Sequence, residues 1–131
     1  MHRIRGGIVR TDMKRSNGLS ELCGMEVYFK LEFQQFTGSF KERGARNAIL
    51  SLSEDEKSRG VIAASAGNHA LALAWHGSQM GVPVTVVMPD IAPLTKASVN
   101  KCKAMKGVNV VQHGQHILEA KDYAVTAPEF Q

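Results

Sequence analysis

The hydrophobic positions in the second half of the chain form short continuous runs, each followed by apolar residues at helical spacing. Such a run is typical of a strand that is buried on both faces of a parallel sheet. The segments between the runs are long enough for the helical crossovers that parallel strands require. The pattern therefore predicts three strand–helix units, with strands over 61–64, 84–88 and 108–111 and helices over 68–80, 95–105 and 115–124.

The first half of the chain is less regular. Alternating apolar and polar β-formers predict a strand over 27–33. Phe40, Ala45 and Ile49 recur at helical spacing and predict a helix over 39–52, with Ser39 or Gly38 as its cap. The remaining segments are predicted as an irregular entry over 6–11, a short helix over 15–23, and a helical turn that Ser53 caps and Gly60 ends.

The alternation of strands and helices predicts an α/β fold, with an open parallel sheet and helices on both of its faces. Gly81 and Gly107 stand immediately before two of the strands, where helix C-caps are expected. Ligands of such sheets bind at the carboxyl ends of the strands. The turn that follows the strand over 61–64 is therefore the first candidate for a functional site.

Composition narrows the function classes. The chain has 131 residues, 44% of them hydrophobic and 21% charged, as expected for one compact intracellular α/β unit. The net charge is +4, but the basic residues are scattered and aromatic residues make up only 6%, so no nucleic-acid partner is predicted. No apolar run reaches membrane-spanning length. Cys23 and Cys102 lack metal-ligand spacing, so we expect free thiols, no metal site and a cytoplasmic location, with a mitochondrial one as the alternative.

Two short motifs carry the candidate chemistry. The segment TGSFKERG (37–44) places one lysine, Lys41, at the predicted start of a helix, with Gly38 and Gly44 available for close backbone approach. A lysine that forms a Schiff base needs a fixed position and a desolvated setting that favours its neutral amine. The segment SAGNHA (65–70) is a small-residue turn at a helix N-terminus, which suits a carboxylate or phosphate. Either motif alone is weak evidence, since lysines are usually solvated and such turns often only begin a helix.

Together the motifs resemble a known enzyme group. The segment LEFQQFTGSFKERGA (31–45) resembles the cofactor-lysine segment of the threonine dehydratase and serine racemase group, which are pyridoxal-phosphate enzymes of the tryptophan-synthase-β-like fold. The segments 65–70 and 86–89 are similar to that group's second signature and to the strand that follows it. The resemblance runs through essentially the whole chain in the right order.

The resemblance implies a role for each motif residue. Lys41 would hold pyridoxal phosphate as a Schiff base and act as the general base at the substrate's Cα. Phe40 would pack beside the cofactor ring, and Asn68 would donate a hydrogen bond to its ring oxygen.

The second motif would bind the substrate. Its carboxylate-binding residues would be Ser65, Ala66, Gly67 and His69, at the N-terminus of the helix over 68–80. The implied reaction is deamination of L-threonine or L-serine, which are small hydroxy amino acids, to a 2-oxo acid and ammonia.

Members of this group are longer than 131 residues, and they hold the cofactor phosphate in a Gly-rich loop that this chain lacks. We therefore expect a truncated chain: residues 1–35 as an N-terminal arm of an incomplete large domain, and 36–131 as the small α/β domain. A homo-oligomer is expected for the full-length enzyme, with little activity from these residues alone. Two alternatives remain: a serine racemase, which Ala66 disfavours because the group's racemases carry a proton-donating serine there, or a catalytically inactive binding module.

Overall fold

The computed structural model describes residues 3–90 and 93–130 of the chain. Single 3-10 turns lie at Arg5–Gly7, Glu32–Gln34 and Pro128–Phe130. The strands and helices follow one another as β1 (Met13–Arg15), α1 (Asn17–Cys23), β2 (Tyr28–Lys30), α2 (Lys41–Ser51), α3 (Glu54–Arg59), β3 (Val61–Ala64), α4 (Asn68–Met80), β4 (Val84–Met88), α5 (Pro93–Lys103), β5 (Val108–Gln112) and α6 (Ile117–Thr126).

The three predicted strand–helix units form one sheet. Strands β3, β4 and β5 are parallel and adjacent in that order, with Val84 paired to both Val61 and Val108. Helices α4 and α5 pack on one face of the sheet and α6 packs on the other. The predicted α/β class, with an open parallel sheet between helices, is confirmed.

The core is centred on β4. Val84, Val86 and Met88 point into the cluster under α4 and α5, whereas Val87 points towards Ala120 on α6. This central strand is buried on both faces, as the sequence predicts. The same prediction is wrong for the outer strands: every residue of β3 is half-buried, and β5 exposes two polar residues. In the described part of the sheet each outer strand has only one neighbour, which leaves its other edge open.

The first half of the chain contains a strand that the hydrophobic pattern does not show. Strand β1 reads Met-Lys-Arg, without apolar alternation, and pairs antiparallel to β2 with Met13 opposite Lys30. Because the ladder is short, the strand predicted over 27–33 is reduced to Tyr28–Lys30, and a 3-10 turn at Glu32–Gln34 follows it. This segment leads directly into the loop before α2.

The capping signals in the sequence agree with the structure for α3 and for the end of α4, but the predicted cap of α2, Ser39 or Gly38, is wrong, because the N-cap residue is Phe40 and its side chain makes no capping hydrogen bond. The predicted cap at Ser53 is confirmed, and in the structure Ser53 and Glu56 form a reciprocal capping box at the start of α3. Gly81 ends α4 in the left-handed conformation (φ 68°), which an L side chain adopts only at a cost. Gly107 has a positive φ of 75° but is not a helix cap, because α5 already ends at Lys103. Helices α5 and α6 are each displaced by about two residues from the predicted ranges.

Candidate active site

The candidate lysine begins a helix. Lys41 is the first residue of α2, Phe40 is its N-cap, and the backbone N–H of Lys41 donates to Ser39 Oγ at 3.3 Å. Its Nζ lies 5.2 Å from the centroid of the Phe40 ring. Among the described residues this amine has no hydrogen-bond or ion-pair partner. The amine is therefore available for covalent chemistry, although the described residues leave it exposed rather than in the desolvated setting that we expected.

An ion pair fixes the start of α2 to the preceding segment. Arg43 donates from Nε and Nη2 to the two carboxylate oxygens of Glu32, at 2.9 Å and 2.7 Å. Thr11 and Gln35 also donate to this carboxylate, at 2.7 Å and 3.2 Å. These contacts, that with Arg43 first, lower the pKa of Glu32 to about 2. Arg43, two positions after Lys41, is thus committed to a structural contact with Glu32 that the sequence analysis missed.

The second motif forms the turn between β3 and α4. The Ser65 N–H donates to the carbonyl of Val87 at 3.0 Å, which fixes the turn at the carboxyl end of β4. The Ser65 hydroxyl lies 3.4 Å from the N–H of Gly67, the N-cap residue of α4. Gly67 has no side chain to cap the helix, and within 3–90 and 93–130 no side chain accepts from the N–H groups of the first helical turn. This end of α4 can therefore bind an anion.

The structure brings the two motifs together. Helix α2 packs against α4, and Glu42 near the start of α2 lies 3.3 Å from His76 in the middle of α4. The pKa of His69 is lowered, first by desolvation of its ring and second by the positive charge of Lys41. A charge acts in this way only over a short distance. The amine of the first motif and the imidazole of the second therefore share one local environment.

The arrangement fits pyridoxal phosphate. Lys41 supplies an uncommitted amine, and Asn68 at the first position of α4 supplies an exposed amide. A Cβ placed on Gly67 would contact nothing within 4 Å, so the space above the turn is open. An aldehyde that carries a phosphate needs these parts: an amine, a neutral donor and an electropositive helix end.

The structure also shows the surroundings of four further residues of the two motifs. Phe40 is 60% exposed and caps α2, and Ala66 is half-buried against the core. Gly38 needs its positive φ of 81° to turn the chain. Gly44 has open space around it, so no close approach explains this glycine within the described residues.

One buried polar residue near the site could have been found from the sequence. Glu42 occupies the apolar face of α2 together with Ala45 and Ile49, and all three are buried. A carboxylate at a core position of a predicted helix is the signal, because a buried charge requires partners. Its principal partners are Thr37 and His76, of which His76 is distant in sequence.

A concavity of about 780 Å³ lies at the other end of the sheet. It is lined by residues at the amino ends of the strands, among them Gly60, Val61 and Pro83, and contains none of the candidate site residues. In the part of the chain that the structure describes, no group of three or more His, Cys, Asp or Glu residues could hold a metal ion. No helix among the described residues is long and apolar enough to cross a membrane.

Comparison with known proteins identifies the family. The profile of the family described as pyridoxal-phosphate dependent enzyme matches residues 4–129. The chain belongs to this family. The family match confirms the predicted resemblance and the predicted cofactor class. The homologues of this chain include threonine dehydratases.

One relative is the L-threonine ammonia-lyase of Thermotoga maritima, 44% identical over 126 residues that make up 96% of this chain and 31% of the relative. The structure of the processed form of threonine deaminase isoform 2 from Solanum lycopersicum superposes with a TM-score of 0.84, at 33% identity over 96% of this chain and 34% of that protein. Serine racemase from Dictyostelium discoideum superposes with a TM-score of 0.85, at 37% identity over 98% of this chain and 41% of that protein. The chain thus spans about a third of the length of the proteins that it matches.

Proposed function

We propose that the protein containing this chain deaminates L-threonine and L-serine, with pyridoxal phosphate bound to Lys41. The observation that carries the proposal is the packing of α2, which begins at Lys41, against α4, which begins at the second motif; the charge of Lys41 also lowers the pKa of His69. The similarity to the L-threonine ammonia-lyase of Thermotoga maritima and to the tomato threonine deaminase supports the reaction type.

The residues of this site divide the work between binding and proton transfer. Pyridoxal phosphate, when bound, supplies an electron-withdrawing ring that stabilises negative charge at the substrate's Cα. Once the substrate's amino group has displaced it from the cofactor, the amine of Lys41 would remove the proton from that carbon; the β-hydroxyl group would leave as water, and addition of water would release the 2-oxo acid and ammonia. Asn68 would donate a hydrogen bond to the cofactor's ring oxygen, and Phe40 would pack beside the ring.

The turn before α4 positions the amino acid. The Ser65 hydroxyl, the N–H groups of Ala66 and Gly67, and His69 bind its carboxylate, with the positive end of the helix behind them. The lowered pKa of His69 favours the neutral ring, and a neutral ring donates one hydrogen bond to the carboxylate. Binding of the carboxylate at this turn orients the substrate so that its Cα hydrogen points towards Lys41.

The proposal extends to the organisation of the protein. Residues 1–35 would form an arm that belongs with a larger domain, and 36–131 would form the small domain that holds the lysine and the turn. Since the chain spans about a third of its relatives, the phosphate-binding part and any homo-oligomer contacts would come from further residues. If those residues are absent, the chain would act only as an inactive binding module.

Serine racemisation is the second candidate, because the Dictyostelium discoideum serine racemase shares this fold with a TM-score of 0.85. Racemisation needs an acid on the face of the substrate opposite Lys41. Ala66 has no proton to give, which favours deamination.

The proposal is tested with the gene product that contains this sequence, expressed at its natural length and loaded with pyridoxal phosphate. We expect release of 2-oxobutanoate from L-threonine and of pyruvate from L-serine. Lys41→Ala should abolish both, together with the visible absorbance of the bound cofactor, whereas Lys101→Ala on the exposed face of α5 should change neither. A protein that binds the cofactor through Lys41 but releases no 2-oxo acid would refute deamination, and D-serine among its products would point to racemisation.

A further inference from the structure

A buried polar pair lies between the two helices that carry the site. Glu42 on α2 and His76 on α4 are both fully buried, at 0% exposure. Glu42 Oε2 lies 3.3 Å from His76 Nε2. The other carboxylate oxygen accepts from the backbone N–H of Thr37 and, at 2.8 Å, from its hydroxyl. One side chain thus contacts the loop before α2 and the middle of α4.

The polar groups of this cluster are not fully satisfied. Within the described residues, no hydrogen-bond partner is found for Glu42 Oε2, for either ring nitrogen of His76, or for Nε of Arg46 one helical turn further along α2. Buried polar groups without partners destabilise a fold, and native proteins retain few of them. Apolar side chains of similar size often pack such a position at least as well. Stability alone therefore does not account for this pair.

The placement of the pair suggests its role. Glu42 follows Lys41 directly, and His76 lies about two turns along the helix that begins at Asn68. Apolar side chains of both helices, among them Ala45 and Ile49 of α2 and Leu73 of α4, pack in one buried cluster. Thr37 holds one oxygen of the Glu42 carboxylate and the other oxygen lies 3.3 Å from His76, so a shift of α2 along α4 would leave the buried carboxylate without the ring beside it. The pair therefore favours one relative position of the two helices.

The charge state of the histidine agrees with this role. The pKa of His76 is lowered, chiefly by burial and also by the nearby charge of Arg46, and these effects outweigh the attraction of Glu42. The ring is therefore neutral near neutral pH and can present one N–H towards the carboxylate. A neutral ring also costs less to bury than an imidazolium would.

We propose that Glu42 and His76 are positioning residues, which hold α2 and α4 in the one register that places Lys41 beside the turn at Ser65–His69. The inference rests on the proposed function in so far as this register serves cofactor and substrate binding. Neither residue touches the reacting atoms. Their effect reaches the site through the helix positions, and it is measurable in the cofactor-free protein through the charge of Lys41 on His69.

The test compares three variants of the natural-length protein. Glu42→Leu/His76→Leu replaces the pair by apolar side chains, and Glu42→Gln keeps an acceptor for Thr37 and offers a donor to His76. Leu73→Ala removes a buried apolar contact on the same helix and serves as the control for stability loss. In the double variant we expect a melting temperature near that of the wild type, a His69 pKa raised towards its ordinary value in the cofactor-free protein, and a dissociation constant for pyridoxal phosphate about ten-fold higher.

Glu42→Gln should keep both wild-type values, and Leu73→Ala should lower the melting temperature without moving the titration of His69. A folded double variant with the wild-type His69 titration would overturn the proposal, and so would a folded Glu42→Gln protein in which that titration moves. If the double variant does not fold, His76→Asn, which withdraws the ring from Glu42, takes its place with the same expected shifts. The titration of His69 is measured without cofactor, so it tests the helix register alone. Failure of the proposed function would be a different result, namely a wild-type protein that binds no pyridoxal phosphate.

Discussion

The guanidinium of Arg43 donates two hydrogen bonds, of 2.7 Å and 2.9 Å, to the carboxylate of Glu32. Arg43 lies in the first turn of α2, two positions after Lys41, and Glu32 lies in the 3-10 turn that precedes the lysine loop. The pair therefore closes that loop and fixes the segment from which the candidate lysine projects. Its side chains are only 27% and 17% exposed, so solvent screens the interaction weakly.

This pair makes stability depend on pH. The folded-state pKa of Glu32 is about 2, below its ordinary value of 4.5, so its ionised form stabilises the fold above pH 4.5. That contribution is lost as the pH falls from 4.5 towards 2. Glu32→Gln should lower the free energy of unfolding near neutral pH by roughly 1.5–3 kcal/mol and flatten its decline in acid. Urea denaturation at neutral pH and in acid measures both effects.

Glu54→Gln is the matched control for Glu32→Gln, because the side chain of Glu54 is 91% exposed and its one ion pair among the described residues is with Lys57. It should change the free energy of unfolding by no more than about 0.5 kcal/mol. If the two variants gave equal losses and equal acid profiles, Glu32 would carry no special share of the stability.

The proximity of the two motifs predicts a coupled titration. Lys41→Gln should raise the pKa of His69, because the positive charge that disfavours the imidazolium is removed while desolvation of the ring remains. Ring chemical shifts of His69 followed against pH by NMR measure the change. Lys101→Gln, at an exposed position of α5, should leave the titration where it is. An unmoved His69 in the Lys41 variant would contradict the shared environment.

Lys41 should be the main site of covalent modification by pyridoxal phosphate. Its amine has no hydrogen-bond or ion-pair partner among the described residues, and the proposed anion-binding turn would help to retain the cofactor near it. Borohydride reduction followed by peptide mapping shows where the label lies. The exposed lysines of the α5 region, Lys101, Lys103 and Lys106, are the internal comparison. Equal labelling of those three and of Lys41 would indicate nonspecific amine chemistry.

Ala66→Ser should raise the ratio of racemisation to deamination in the natural-length protein. A positioned acid on the second face of the substrate is worth typically ~10²–10⁴-fold in rate, and a serine at this position supplies the hydroxyl. Chiral analysis of serine and a pyruvate assay give the ratio. Ala97→Ser, on an exposed turn of α5, is the control and should match the wild type. A constant ratio of D-serine to pyruvate in the Ala66 variant would mean that another group serves that face.

The 131 residues expressed by themselves should self-associate. Leu22, Phe33 and Phe36 are 81%, 70% and 59% exposed, and apolar surface of this kind promotes association. Leu22→Lys/Phe33→Lys should lower the associated fraction in light scattering, because the added charges repel. Val125→Lys, at a residue of α6 that is 66% exposed, tests whether any added charge has the same effect. If the wild-type chain stayed monomeric at high concentration, this apolar surface would not drive self-association.

The hydrophobic pattern was sufficient for the parts of the fold that obey local rules. It predicted β3, α4 and β4 with the bounds that the structure shows, because each is a regular apolar repeat between turn residues. It missed β1, whose three residues carry no apolar alternation and which exists only through pairing with β2. The predicted burial of the outer strands was also wrong, since burial depends on how many neighbours a strand has.

The sequence by itself determined the two features on which the proposed chemistry depends. These are a lysine at the start of one helix and a small-residue turn at the start of another. The motifs specify these features because backbone capping and side-chain type are local properties. The roles assigned to Phe40, Asn68 and the residues of the turn remain predictions.

Only the tertiary structure decided which side chains meet. The pairing of Glu42 with His76, the pairing of Glu32 with Arg43 and the effect of the Lys41 charge on His69 each join separate elements. Such contacts depend on the packing of α2 against α4 and on the path of the chain before α2. Hydrophobic periodicity tells which face of a helix is buried, but it does not tell which polar group on the neighbouring element that face will contact.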